Sequence, residues 1–219
     1  MIDENILKFR ERIASACYKV KRDPGEITVV AVSKNRAIEQ INQAIEAGIA
    51  DIGENRVQEA ILKYNQLRAK WHLVGHLQTN KVKDAVRIFD LIQSVDSLRL
   101  AAEIDKQAAK INKIQDILIE IKTSPEATKF GLKPNAAIEV IKEIAQLKNI
   151  NMKGLMTIAP LVDEPEKTRP YFRQLRELRD YLRAMNYELG ILSMGMTDDF
   201  EVAIEEGSNM VRIGRAIFE

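Results

Sequence analysis

From residue 27 onward, short apolar runs alternate regularly with longer stretches of helical periodicity, and this alternation limits the possible folds more than any other feature. The runs are "ITVVAV" (27 to 32), "IADI" (49 to 52), "WHLV" (71 to 74), "LIQSV" (91 to 95), "DILIEI" (116 to 121), "NMKGLM" (151 to 156), "GILSM" (190 to 194) and "NMVRI" (209 to 213). Between them, helical patterns occupy residues 37–47, 56–69, 79–88, 97–111, 134–148, 165–187 and 199–206. A parallel return needs a crossover long enough to hold a helix, so the alternation implies βαβ units and a parallel sheet. Eight such units predict an α/β protein, a (β/α)8 TIM barrel; an open doubly wound sheet is the alternative. Ahead of the first strand, Ile6, Phe9, Ile13 and Ala16 form the apolar stripe of an extra N-terminal helix over residues 2–20. No Pro/Gly/Ser-rich linker, repeat or low-complexity tract divides the sequence, so residues 1–219 are read as one domain. The longest irregular stretch, "TSPEATKFGLKP" (123 to 134), is assigned to a barrel rim.

Charge and composition narrow the partners. Thirty-three basic residues against 32 acidic ones leave a net charge of +1, so neither nucleic acid nor an anionic membrane is expected. No apolar run approaches the roughly 20 residues of a membrane helix, and "MIDENILKFRER" lacks the apolar core of an export signal. A cytoplasmic location is expected. The single cysteine, Cys17, excludes an internal disulfide and a multi-cysteine zinc site. His72 and His76 stand four apart, but zinc asks for at least three protein ligands, and no metal site is expected. "GILSMGMT" differs from a phosphate-binding P-loop because Met196 replaces the lysine, and no G-x-S-x-G elbow occurs. The Arg/Leu-rich segment 171–185 reads as an ordinary outer helix.

In a (β/α)8 barrel the C-terminal strand ends gather on one rim, where active sites are built. Here those ends deliver Ser33, Lys34 and Asn35; Glu54, Asn55 and Arg56; His76; Ser94 and Asp96; Lys122 and Thr123; and Met156 and Thr157. The seventh ends in "SMGMT" (193 to 197) and the eighth in "RIGR" (212 to 215). The run "ITVVAVSK" stops on a lysine, which is either a solvated strand end or a reacting amine at the mouth. Gly195 and Gly214 let backbone N–H groups approach an anion where such barrels often hold phosphate, with Ser193 and Thr197 as donors; otherwise they make tight turns. A neutral lysine amine attacks an aldehyde, and burial or nearby cations such as Arg36 and Arg212 favour the neutral form. A phosphorylated aldehyde fits both ends of such a mouth. Two candidates remain on physical grounds: a sugar-phosphate aldolase, or a site for pyridoxal 5′-phosphate (PLP).

The blocks "AVSKNRAIEQINQAIEAGIADIGENRVQEA", "WHLVGHLQTNKVK", "SVDSLRLA", "KGLMTIAP" and "LSMGMTDDFEVAIEEGSNMVRIGRAIF" together resemble the pyridoxal phosphate homeostasis protein family across nearly the whole chain. The resemblance implies a single barrel like the alanine racemase N-terminal domain, of PLP fold type III, with the cofactor held as a Schiff base on Lys34. It also implies that Asn55 and His76 line the site, with Met156 beside them at the rim. Ser193, Gly195, Met196, Thr197 and Gly214 match the phosphate-binding end, and Arg212 matches an arginine near the pyridine nitrogen. Thr197 stands where similar proteins often carry serine, and keeps the hydroxyl. An arginine there disfavours protonation of the ring and makes it a poor electron sink. With no second domain to supply a lid or second base, the expectation is a binding protein in PLP (vitamin B6) and amino-acid homeostasis rather than an enzyme. It is expected to be a monomer that meets protein recipients of PLP transiently. The alternatives are a PLP-dependent amino-acid racemase using Lys34 as one base, and an interaction module presenting residues 37–47 or 171–187.

Overall fold

The structure, a computed structural model, describes residues 1–126 and 129–219. Ala127 and Thr128, within the loop assigned to the rim, lie outside the described residues. Eight parallel strands form a closed barrel in chain order: β1 (Thr28–Val32), β2 (Asp51–Glu54), β3 (Lys70–Leu73), β4 (Leu91–Val95), β5 (Gln115–Glu120), β6 (Ile150–Met156), β7 (Ile191–Ser193) and β8 (Met210–Ile213). β8 closes on β1, with Thr28 opposite Met210 and Ala31 opposite Ile213, which excludes the open doubly wound alternative. Around it run α1 (Ile2–Lys19), α2 (Ile38–Glu46), α3 (Val57–Lys63), α4 (Val82–Ile88), α5 (Leu98–Ala109), α6 (Pro134–Ile144), α7 (Arg169–Ala184), α8 (Phe200–Glu205) and α9 (Arg215–Phe218). None of the described helices is long and apolar enough to cross a membrane.

One strand is shifted from expectation and one short helix was not anticipated. The second strand, expected over 49–52, runs Asp51–Glu54, because Gly48 turns the chain at φ +87° and Ile49 packs before the strand begins. Gly53 belongs to the strand because a Cβ there would stand 2.9 Å from Val30 Cγ1 inside the barrel. α9 was not anticipated; four residues are too few for a helical period to be read.

Strand residues alternate between two environments. Val30, Val74, Leu91, Leu118, Met156 and Met210, with Val32, Ile158 and Ile191 against them, fill the barrel interior. Ala31, Ile52, Leu73, Ile92, Ile119, Leu155, Leu192 and Val211 face the helices in a separate, larger core. Carried past the strand ends, the inward series 30, 32 reaches Lys34; 72, 74 reaches His76; and 210, 212 reaches Gly214. This parity selects which rim residues look over the mouth.

α1 packs Ile6, Phe9, Ile13, Ala16 and Cys17 onto α8 and α9, the helices that follow β7 and β8. The Phe9 and Phe200 ring centroids lie 4.6 Å apart, and Asn5 Nδ2 donates to Ile217 O at 3.1 Å. Burying each large apolar side chain of this kind contributes roughly 1.5–3 kcal/mol. The N-terminal helix therefore braces the two turns that the sequence marks as an anion site.

Candidate functional site

Lys34 lies two residues beyond β1, where a turn with Asn35 at φ +57° lifts it onto the rim. Its side chain is exposed and has no polar partner among the described residues. The expectation of burial is thus not met, because the strand stops at Val32. Nor does Arg36 serve as the expected neighbouring cation: it pairs with the Glu219 carboxylate and lies over the Phe218 ring. What does hold this corner is beneath it. Ser33 Oγ donates to Glu54 Oε1 at 2.7 Å, and Lys63 Nζ reaches Ser33 O at 2.9 Å and the same Glu54 oxygen at 2.7 Å. Glu54 is wholly buried, and Lys63, unmarked in the sequence, is its cation.

Across the β1–β8 seam, Arg212 is only 4% exposed and sits opposite Val30. Its Nη1 donates to Ser193 Oγ at 2.6 Å and its Nη2 to Thr157 O at 2.8 Å. Among the described residues it forms no ion pair with a carboxylate. Burial pushes its pKa down to about 10, with Asp199 and Glu120 acting against the shift, so it remains a cation at neutral pH. Ser193, expected at the anion end, instead points into the barrel by strand parity. Its hydroxyl donates to Gln93 Oε1 at 2.6 Å, Gln93 Nε2 meets His72 Nδ1 at 2.9 Å, and His72 Nε2 meets Asp51 Oδ1 at 2.9 Å. Gln93 escaped the sequence reading; its signal is a glutamine at an inward position of "LIQSV". Glu120, one step past Leu118 on the inward face, is 5% exposed, and burial followed by nearby Asp96 raises its pKa to about 7 against Arg212 and Lys129.

The two glycine turns differ. Gly195 holds φ +98°, and a Cβ there would stand 2.7 Å from Ala203 Cβ and 2.9 Å from Phe200 Cα, so backbone and packing both demand glycine. In the same turn Met196 N–H donates to Asp199 Oδ1 at 2.6 Å, committing that donor to the protein's own carboxylate. Thr197 Oγ1 accepts a long 3.5 Å bond from Ala216 N, joining the β7 turn to the β8 turn. Gly214 has φ −110°, open to any residue, and a Cβ there would meet nothing closer than Val32 O at 3.6 Å. Neither its conformation nor its packing requires glycine. Its bare backbone leaves room for a group from outside the chain, beside the strand that leads to Lys34.

The remaining expected residues fall in separate places. Asn55 and His76 line a cleft of about 400 Å³ with Gln78 and Lys81. His76 stacks on Phe130 with centroids 3.8 Å apart and approaches Asp96 at 3.3 Å. Met196 and Thr197 border another groove, of about 510 Å³, with Leu161 and Asp163. Met156 is fully buried, forming the floor below the rim rather than part of it. Lys34 lines neither cleft. The donor set is an exposed amine, a bare backbone turn and a buried guanidinium on adjacent strands. It suits an anionic carbonyl compound with a hydrogen-bond acceptor between its two ends.

The sequence profile of the alanine racemase N-terminal domain family matches residues 2–219. The pyridoxal phosphate homeostasis protein of Aquifex aeolicus is 45% identical over 219 residues, covering 98% of this chain and 96% of the relative. The structure of PipY from Synechococcus elongatus PCC7942, solved with PLP bound, is 34% identical and superposes with a TM-score of 0.88 over 100% of both chains. Alanine racemase of Clostridium difficile shares the fold alone, at 20% identity and a TM-score of 0.79, over 96% of this chain and 58% of that one.

Proposed function

The chain belongs to the pyridoxal phosphate homeostasis proteins of the alanine racemase N-terminal domain family, and from this membership we propose that it binds PLP covalently through Lys34. When bound, PLP supplies an aldehyde that condenses with a primary amine, a C=N bond replacing C=O with loss of one water, and a phosphate and a ring nitrogen that accept hydrogen bonds. The observation that carries the reading is the pairing of β8 with β1, which brings buried Arg212 and bare Gly214 beside the strand that leads to Lys34. In this role Lys34 provides the amine, Gly214 the close backbone approach and Arg212 an N–H donor toward the ring. Gly195 and Thr197 shape the phosphate turn, and Met156 floors the mouth. Asn55 and His76 line the neighbouring cleft and complete the contacts only if the cofactor reaches toward it.

The protein holds PLP for vitamin B6 and amino-acid homeostasis in the cytoplasm, as a single-domain monomer that yields it to protein recipients. Arg212 stays charged and donating, so a ring nitrogen facing it remains unprotonated, and substrate carbanions gain little stabilisation. The test is a visible spectrum after incubation with PLP, followed by borohydride reduction and peptide mass mapping. A yellow protein with a pyridoxyl group on Lys34, lost in Lys34→Ala, is expected; a colourless protein, or labelling only of other lysines, overturns the proposal. One observation favours a second reading, amino-acid racemisation: the buried, inward Glu120 titrates near neutrality, as a proton-transferring group should. Interconversion of D- and L-amino acids, abolished in both Lys34→Ala and Glu120→Gln, would select it.

A further inference from the structure

The hydrogen-bond chain through the barrel interior has a direction set by its ends. Arg212 has only donors, and Asp51, as a carboxylate, has only acceptors. Each group between must accept on one side and donate on the other. Ser193 Oγ accepts from Arg212 and donates to Gln93 Oε1; Gln93 Nε2 donates to His72 Nδ1; His72 Nε2–H donates to Asp51. Only a neutral His72 with its proton on Nε2 fits. A proton on Nδ1 would oppose the Gln93 NH2, and turning the amide would aim that NH2 at Ser193 Oγ, displacing the proton the hydroxyl now donates. Gln93 Nε2 also contacts Met210 Sδ at 3.2 Å, which favours the observed amide orientation. Gln93 and Ser193 are fully buried and His72 nearly so, so a mismatch along the chain would leave a buried polar group unpaired. At the far end Asp51 borders a cleft of about 390 Å³ with Arg10, so the chain spans from that cleft to Arg212.

We propose that Gln93 and His72 are positioning residues: their one-way hydrogen bonds keep the Ser193 lone pair turned to Arg212 and fix the plane in which the guanidinium presents its remaining N–H groups to the mouth. We rest on the PLP reading only in taking the cofactor as what Arg212 meets there. The sequence holds two histidines, so ¹⁵N spectra of the full chain contain two rings, and His76→Asn assigns them. Without ligand, His72 is expected as the Nε2–H tautomer, and Arg212 should show distinct, slowly exchanging Nη signals that merge in Gln93→Leu. With PLP, Gln93→Leu and His72→Phe should weaken binding about tenfold and displace the absorption band of the bound cofactor. Gln93→Glu should recover both, because the introduced carboxylate still accepts from Ser193 while forcing His72 to carry two protons. An Nδ1–H or doubly protonated His72 in the unsubstituted protein overturns the inference. So do Arg212 signals unchanged in a folded Gln93→Leu, or an unrecovered Gln93→Glu. Failure of the unsubstituted protein to bind PLP overturns the functional reading alone, since tautomer and guanidinium rotation are read without ligand.

Discussion

At the scale of single residues, two glycines that look alike in the sequence have opposite reasons to exist. Gly195→Ala forces a side chain into φ +98° and against Ala203 and Phe200, and should destabilise the fold by about 2–4 kcal/mol in urea titration. Gly214→Ala meets only ordinary contacts, so its melting temperature should stay within about 2 °C of the unsubstituted protein. The same substitution should weaken PLP binding about tenfold, as measured by absorbance titration. Glu120 gives a pH signature. Its folded-state pKa of about 7 lies above the ordinary value, so the native state holds the proton more tightly; this contribution to stability is complete below about pH 4.5 and is lost as pH rises to 7. Glu120→Gln should therefore gain on the parent by on the order of 1–3 kcal/mol between pH 5 and pH 8, read from paired unfolding curves. Lys34 stands out in the sequence because a cation ending a β-branched run is conspicuous, and the structure places it exposed on the rim. The motif position of Ser193 suggests the rim while the pleat turns its hydroxyl inward, and Gln93 becomes visible only once the inward face is known.

At the scale of elements, the junction of β1, β2 and α3 is held by one buried carboxylate. Glu54 accepts from Ser33 and Lys63 through Oε1, while its buried Oε2 has no hydrogen-bond partner among the described residues, so the Lys63 cation carries the compensation. Lys63→Met should cost about 3–5 kcal/mol, because it leaves an unpaired charge in the interior. The double variant Glu54→Gln/Lys63→Met should recover most of that loss, with both values measured by urea unfolding. Sequence reasoning could not find this clamp, since a lysine near the end of a short helix looks like any solvated charge. It located all eight strands, because buried parallel strands are continuous apolar runs. It misplaced β2 because Gly53 and Glu54 break that run for local steric and ionic reasons.

At the scale of the whole molecule, α1 joins the start of the chain to α8 and α9, the helices behind the β7 and β8 turns. Removing residues 1–20 should bare the apolar faces of α8 and α9, giving strong dye binding by exposed hydrophobic surface and loss of PLP binding. The alternation of runs and their count of eight made a closed parallel barrel legible, but not the register of its closing seam, because those contacts join the two most distant strands and leave no local trace. Those contacts set a timetable. Lys34 emerges early in synthesis, and Arg212 and Gly214, which the β1–β8 pairing brings beside its strand, come with the final strand. Until the last stave is set in the cask, Lys34 is one surface amine among many, so under the proposed function any covalent capture there would mark the moment the ring of strands becomes whole.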